Sequence, residues 1–382
     1  MLRLKNILGF LSRSNIKKIF NYINAYKNYY LGIAKVTSYP LRMSFEPTNR
    51  CNLSCALCPT GAGFCKRQRG FMDLDNYIGL IDNIGRYLYS ITFAGEGEPL
   101  LHPDIFQMIS YAVSKKIRVY LNTNLNFASG DIIKQIVDSG LFGLSVSCHG
   151  LNQNTISYYM KGGDFSLIMK NVKDLVQLKK DKGKKTPYLG LTFVHMKHNH
   201  KELLQLPKFA LEHGFDYCSV LPVSLNLIHL PYDKQTDYKY IKHLITEWLP
   251  PGHKPYQNTS IIFWYNTMYN EFKCKGILSQ IEQIMEFPKM PRISKSPSFK
   301  CKDLWLEAEV RWDGEVFPCC RYSFFEDIRF GNVFKDDFLT IFNSSLYVRA
   351  RRPEVFSQQE TGLLCRFCPK MPQAEKLFWL SA

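Results

Sequence analysis

Between residue 41 and about residue 222 the chain alternates two hydrophobic rhythms. Short β-rich runs at Met43–Glu46, Ser90–Ala94, Ile117–Asn122, Gly143–Ser147, Tyr188–Val194 and Tyr217–Leu221 predict six strands. Longer stretches at Leu74–Leu88, Asp104–Lys115, Asp131–Ser139, Phe165–Lys180 and Lys201–Glu212 predict helices between them. In the first helix Leu74, Ile78, Ile81, Ile84 and Leu88 recur at steps of three and four, one face of a helix; in the fifth, Leu203, Leu206, Ala210 and Leu211 mark the apolar side. Strands alternating with helices imply a parallel sheet with helical crossovers, curled into a partial barrel or left open. In either form ligands bind where strands end and loops begin. The residues of unusual chemistry all fall there: Cys51, Cys55 and Cys58 after the first strand, Gly95–Pro99 after the second, Asn122–Asn124 at the third, Ser145, Ser147 and His149 at the fourth, and His195, Met196 and Asn199 after the fifth.

Two flanking regions read differently. Residues 1–40 form a basic leader in which Lys5, Arg13, Lys17, Lys18 and Lys27 alternate with apolar residues. Leu8, Leu11, Ile16, Phe20 and Ile23 lie near helical spacing. That pattern suits a helix lying on a membrane surface, but a helix packed on the protein body is the favoured reading. Residues 236–300, with Trp248, Tyr256, Phe263, Trp264 and Tyr265 among Pro and Lys, form a connecting, substrate-facing segment ending in the linker Ser294–Lys300. Residues 301–382 hold a strand pair, Leu304–Arg311 and Glu315–Phe317, joined at Asp313-Gly314, a hairpin turn signal, and then a short helix at Asp336–Asn343. This piece has little apolar sequence for a core of its own. The domain plan is thus a leader (1–40), a core (41–235), the connecting segment (236–300) and a small C-terminal α+β domain (301–382).

Composition narrows the chemistry. The chain has 382 residues, 46% of them hydrophobic, enough for a sizeable core, with no run of 18 apolar residues and no signal peptide, so the expected compartment is the cytoplasm. Twelve cysteines in a reducing compartment are free thiols or ligands rather than disulfides. The net charge of +16 leaves nucleic acid, anionic lipid or a phosphorylated substrate open, although nucleic acid is not expected on charge alone.

Cys51-x3-Cys55-x2-Cys58 places three thiolates on one tight loop. A four-iron cubane normally takes four cysteines, so three leave one iron open to a non-protein ligand. Structural zinc wants four closed ligands, and no neighbouring His or Cys completes that set. The loop is similar to the signature of the radical S-adenosylmethionine (radical SAM) superfamily, with Leu57 where that family usually has an aromatic residue. The resemblance implies a partial (β/α)6 TIM-like barrel, a [4Fe-4S] cluster on Cys51, Cys55 and Cys58, and S-adenosyl-L-methionine bound to the open iron. It implies reductive cleavage of that cofactor to a 5′-deoxyadenosyl radical, which abstracts a substrate hydrogen, with electrons from a donor such as flavodoxin or ferredoxin. Gly95-Glu96-Gly97-Glu98-Pro99 resembles the family's Gly-Gly-Glu-Pro motif, which puts the cofactor's amino group near Gly97 and Glu98. By the same resemblance Asn124 and Ser147 fall at the ribose and carboxylate, Lys161 at the carboxylate, and Val194 and Met196 beside the adenine.

In the last segment, Cys301, Cys319, Cys365 and Cys368 suffice for one fully ligated cluster. Their order around Gly314 resembles the SPASM and twitch domains of the same family. With no cysteine after Cys368, one auxiliary [4Fe-4S] cluster is expected; Cys320 competes with Cys319, and zinc is the alternative occupant. Cys65, Cys218 and Cys274 are read as non-ligands, and His149 as a structural histidine. An auxiliary cluster that takes an electron from the substrate radical favours net oxidation of a small molecule such as a sugar, cyclitol or antibiotic precursor. The alternatives are maturation of a ribosomally made precursor peptide and a non-enzymatic zinc protein.

Overall fold

The computed structural model describes residues 16–127, 130–223, 243, 246–248, 261–264 (backbone alone), 301–319 and 329–352. Helix α1 (Ile16–Leu31) leads into strand β1 (Arg42–Phe45). Then α2 (Leu74–Ile84), β2 (Ser90–Phe93), α3 (Ile105–Ser114), β3 (Arg118–Thr123), α4 (Gly130–Asp138) and β4 (Gly143–Ser147) alternate. They are followed by α5 (Gln153–Tyr159), α6 (Phe165–Asp181), β5 (Tyr188–His195), α7 (Leu206–Glu212) and β6 (Tyr217–Pro222). The six strands pair in parallel in chain order, as right-handed crossovers from one side produce.

The period-two pattern sorts the sheet's faces. Met43, Phe45, Ile91, Phe93, Val119, Leu121, Leu144, Val146, Leu189, Leu191 and Phe193 are buried under the helices. The alternating residues, among them Ser44, Thr92, Tyr120, Ser145, Ser147, Thr192 and Val194, are only half-buried, and Asn122 is exposed. One face is therefore a packed core and the other a partly open, largely polar concavity. Strand β7 (Ile261–Trp264) pairs antiparallel with β6, and β8 (Glu307–Val310) pairs in parallel with β1, so the nine strands form one open sheet.

Helix boundaries move for local reasons. The fifth predicted helix begins only at Leu206, with Pro207 in its first turn, after a short 3-10 turn at His200–Glu202. Helix α2 stops at Gly85, although Leu88 beyond it stays buried. Helix α5, not anticipated, is capped by Asn152, whose side chain accepts from the Thr155 amide. Leu304 opens no strand: Asp303–Leu306 form one helical turn, α8, before β8.

The C-terminal segment shares its core with the barrel. Trp305, Phe338, Phe342 and Tyr347 join the same apolar cluster as Phe45 and Ile91. Helices α9 (Phe338–Phe342) and α10 (Ser345–Arg351) complete its described part. Buried Arg351 donates to the carbonyls of Leu304, Ala34 and Phe342, tying α1's exit, α8 and α9 together. Strand β9 (Val316–Phe317) returns antiparallel to β8 through Asp313-Gly314, the predicted turn, with Gly314 at φ 87°.

Helix α1 does pack on the body, but through its polar side. Lys18, Asn21, Ala25 and Asn28 face inward, whereas Ile16, Phe20, Ile23, Tyr30 and Leu31 face out. The inward residues find specific partners: the Lys18 ammonium donates to the Lys116 carbonyl, Asn21 to the Tyr39 carbonyl, and Asn28 to the Ser38 hydroxyl.

Candidate active site

The chain after β1 carries the site. Glu46, the first residue past the strand, is buried and forms a bidentate pair with Arg67 at 2.9 and 2.7 Å. Arg67 also donates to Glu96, past β2, at 2.7 Å. One guanidinium between two buried carboxylates clamps the segment after the cysteines to the ends of β1 and β2.

The glycines after β2 permit a close approach. A Cβ on Gly95 would lie 2.6 Å from the Glu46 side chain, and one on Gly97 would lie 2.2 Å from the Thr48 carbonyl oxygen and 2.6 Å from that of Arg50. The Glu98 amide donates to the Arg50 carbonyl at 2.8 Å. The Gly-rich segment therefore lies directly against the residue that precedes Cys51.

Glu98 is fully enclosed. Its two oxygens accept from the amides of Asn124 (2.7 Å) and Leu100 (3.1 Å). Burial pushes its carboxyl up to about 7 against the pull of those donors. Asn124 in turn donates to the Asn52 side chain at 2.8 Å and sits 3.9 Å from the Cys51 sulfur, and Asn52 donates to the Asn126 carbonyl. This network joins the cysteine loop to the ends of β2 and β3. Leu125 within it has φ 49°, a left-handed conformation that a branched residue adopts only when its neighbours impose it.

The cysteine loop also rests on the turn after α5. Ser54 and Ala56 donate backbone hydrogen bonds to the carbonyls of Lys161 and Tyr159. Cys51, Cys55 and Cys58 are free and half-buried. Burial raises all three thiols, Cys55 up to about 12, and the Cys58 and Cys51 sulfurs add to the shift at Cys55. Three sulfurs this close resist ionising together without a cation, and an iron core supplies one. Among the described residues no three His, Cys, Asp or Glu close on a single-ion site. The donor set fits a cluster with one iron left to a non-protein ligand.

Of the other residues expected at the cofactor, Ser147 ends β4, half-buried on the concave face. The Val194 amide donates to Nδ1 of His149, while Met196 is fully buried and its amide donates to the Asn199 side chain. Lys161 joins the site through its carbonyl, with its side chain exposed. His149 is a buried acceptor, neutral because burial pulls it down to about 4, in keeping with a structural role. Cys65 donates to Glu96 at 3.2 Å, Cys148 donates to the Gly150 carbonyl, and Cys218 is buried.

The hairpin β8–β9 closes one side. Gly70 leaves room for the Trp312 ring, which a Cβ there would meet at 2.3 Å. Arg311, opposite Glu46 across the β1–β8 pairing, stacks its guanidinium 4.1 Å from the Phe317 ring centroid. It is buried, yet among the described residues its Nε and Nη2 have no hydrogen-bond partner. Cys301 enters just before α8, and β9 carries Cys319 back toward the first residue of β8, the end from which Cys301 arrives. Cys365, Cys368, Cys320, Cys274 and the linker Ser294–Lys300 lie outside the described residues.

Sequence reasoning missed Glu46, Arg67, Glu96, Asn52, Asn126 and Arg311. For Glu46, Glu96, Asn126 and Arg311 the one signal is a charge or amide group just past a strand end, where apolar residues would otherwise continue the pattern; Asn52 and Arg67 lie within the loop after β1 and carry no such signal.

Residues 45–210 match the radical SAM superfamily, and residues 301–369 match the SPASM iron–sulfur cluster-binding domain. The chain is a radical SAM protein with a SPASM domain. A [4Fe-4S] cluster, S-adenosylmethionine and an auxiliary iron–sulfur cluster are the cofactors of these two domains. The radical SAM protein is 25% identical over 283 residues to the tungsten-containing aldehyde ferredoxin oxidoreductase cofactor-modifying protein of Pyrococcus furiosus, covering 72% of this chain and 70% of that one. Mycofactocin maturase MftC of Mycobacterium ulcerans is 24% identical over 136 residues, 36% of each chain. The crystal structure of Streptococcus suis SuiB bound to its precursor peptide SuiA superposes with a TM-score of 0.58 at 18% identity, over 90% of this chain and 72% of that one. At that identity the superposition shows the shared fold.

Proposed function

We propose that this radical SAM protein matures a peptide: it abstracts a hydrogen from a residue of a precursor peptide lying in the concave, polar face of the sheet. The observation that carries the reading is the open sheet itself. Its concave side is lined by half-exposed polar residues on successive strands (Ser44, Thr92, Tyr120, Asn122, Ser145 and Thr192), on the side where the cysteine loop and the Gly-rich segment meet. A trough of that kind accepts a chain, whereas a closed apolar pocket selects a compact molecule. The maturase MftC and the peptide-bound SuiB support the same reading, which displaces the sugar or cyclitol oxidation that the sequence alone favours.

When bound, the cluster and S-adenosylmethionine supply reductive carbon–sulfur cleavage and the hydrogen-abstracting radical. The chain's own residues do the rest. Cys51, Cys55 and Cys58 would hold the first cluster, and Cys301, Cys319, Cys365 and Cys368 the auxiliary one. Gly97 lets the Gly-rich segment close directly against the Thr48 and Arg50 carbonyls, and backbone carbonyls gathered there would suit the cofactor's amino group. Asn124 fixes the cysteine loop relative to Glu98. Arg311 offers unpartnered donors to an anionic group of the substrate, such as a peptide carboxylate.

The test is to incubate reconstituted protein, reductant and S-adenosylmethionine with short peptides encoded beside its gene, and to measure peptide mass together with 5′-deoxyadenosine. Loss of two hydrogens or a new crosslink in the peptide supports the reading. Turnover of a sugar or cyclitol with no change in any peptide restores the small-molecule reading.

A further inference from the structure

Helix α1 is amphipathic in the inverse sense to a packed surface helix. Its inward residues Lys18, Asn21 and Asn28 are polar and each has a defined hydrogen-bond partner, so the helix's rotation is fixed. Its outward stripe is apolar: Ile16 (67% exposed), Phe20 (65%), Ile23 (58%) and Leu31 (67%), spaced along one face of the helix. Tyr30 and Tyr22 flank the stripe, and Tyr22, Tyr26 and Tyr30 run ring to ring along its side. Lys17 and Lys27 are exposed on the same face.

Along the sequence, the charge from the N-terminus through α1 and into β1 has one sign. Arg3, Lys5, Arg13, Lys17, Lys18, Lys27, Lys35 and Arg42 precede the first acidic residue of the chain, Glu46. The body beside α1 adds exposed Arg86, Lys115 and Lys116, with Asp82 paired to Lys115. An apolar row with tyrosines at its margin and lysines beside it matches the acyl–headgroup boundary of an anionic bilayer.

We propose that α1 seats the protein on an anionic membrane surface. The occupant is lipid rather than a second copy, because two copies of a helix face this basic repel each other. The carbonyls that α1 engages belong to Tyr39, Tyr87 and Lys116, which precede β1, β2 and β3. Helix α1 therefore lies at the N-terminal ends of the strands, opposite the cysteine loop. Seated this way, the mouth of the sheet faces away from the bilayer and stays open to substrate. Membrane contact and the radical SAM chemistry are separable.

The experiment is flotation of the full-length, cluster-loaded protein with phosphatidylcholine vesicles and with mixed phosphatidylcholine–phosphatidylserine vesicles. Binding is expected to the anionic vesicles and to weaken with added salt. Phe20→Glu with Ile23→Glu should lower the bound fraction about tenfold or more, because charge is driven into the interface. The milder pair Lys17→Gln and Lys27→Gln should lower binding to anionic vesicles alone, without touching the fold. Both variants should form 5′-deoxyadenosine at the wild-type rate. Absence of flotation with either vesicle overturns the proposal. So does flotation unchanged by Phe20→Glu/Ile23→Glu, or a vesicle-free dimer that those substitutions dissociate.

Discussion

Replacing Gly97 with alanine adds a single methyl group at the point where the Gly-rich segment meets the cysteine loop. That methyl would sit 2.2 Å from the Thr48 carbonyl oxygen and 2.6 Å from that of Arg50. Neither oxygen can retreat cheaply. The Thr48 hydroxyl donates to the Gly70 carbonyl at 2.6 Å and accepts from the Arg50 amide at 3.1 Å, while the Arg50 carbonyl accepts from the Glu98 amide. Overpacking of this kind costs about 1–3 kcal/mol. Losing the Glu98–Arg50 hydrogen bond adds about 1 kcal/mol. The larger effect is on function, because a displacement of about 1 Å at a reacting centre costs on the order of 100-fold in rate. Gly79→Ala is the matched control: it lies on an exposed turn of α2 with nothing near its missing Cβ, and alanine there should stabilise the fold by about 0.5–1 kcal/mol. The assay is anaerobic 5′-deoxyadenosine formation alongside iron content and urea denaturation. Gly97→Ala should keep its cysteines and much of its fold while losing most of its rate. A Gly97→Ala enzyme within about twofold of wild type would refute the packing argument.

Arg67→Met removes the guanidinium that pairs with both Glu46 and Glu96 and should destabilise the fold by about 3–5 kcal/mol in urea melts, with Glu46→Gln in the same chain restoring part of the loss. Burial holds His149 near 4, whereas the unfolded chain takes up that proton near 6.5, so stability should fall as pH drops from 6.5 to 4, by about 3 kcal/mol at most. His149→Gln should flatten that slope, and an unchanged slope would show that other groups dominate acid lability. Arg311→Met should raise the KM for an anionic substrate about tenfold or more, while substrate-free cleavage of S-adenosylmethionine continues unchanged. A fall in substrate-free cleavage would place Arg311 at the cofactor instead.

The period of the sequence carried most of the architecture. Strands and helices from Met43 to Leu221 are readable because buried strand faces and helix stripes repeat at two different spacings, and the cysteine triplet is readable because ligand chemistry needs fixed residue types. The rotation of α1 was not readable. Its apolar positions mark a helix, but which face turns inward depends on carbonyls at Tyr39 and Lys116, far along the chain. The clamp of Glu46, Arg67 and Glu96 was hidden for the same reason: its members sit beside three different elements, and only the fold brings their charges together. The sharing of one core between residues 301–319 and 329–352 and the barrel follows from the parallel pairing of β8 with β1, a long-range contact that no local pattern announces.

The most direct measurement of the central claim is iron content and cofactor cleavage on the same anaerobically reconstituted sample. About eight irons per chain are expected, falling to about four when Cys51, Cys55 and Cys58 are all changed to alanine. With S-adenosylmethionine and reductant, the wild-type protein should release 5′-deoxyadenosine and methionine, and the triple variant should release neither. Protein that holds only zinc and leaves S-adenosylmethionine intact under reductant would contradict it.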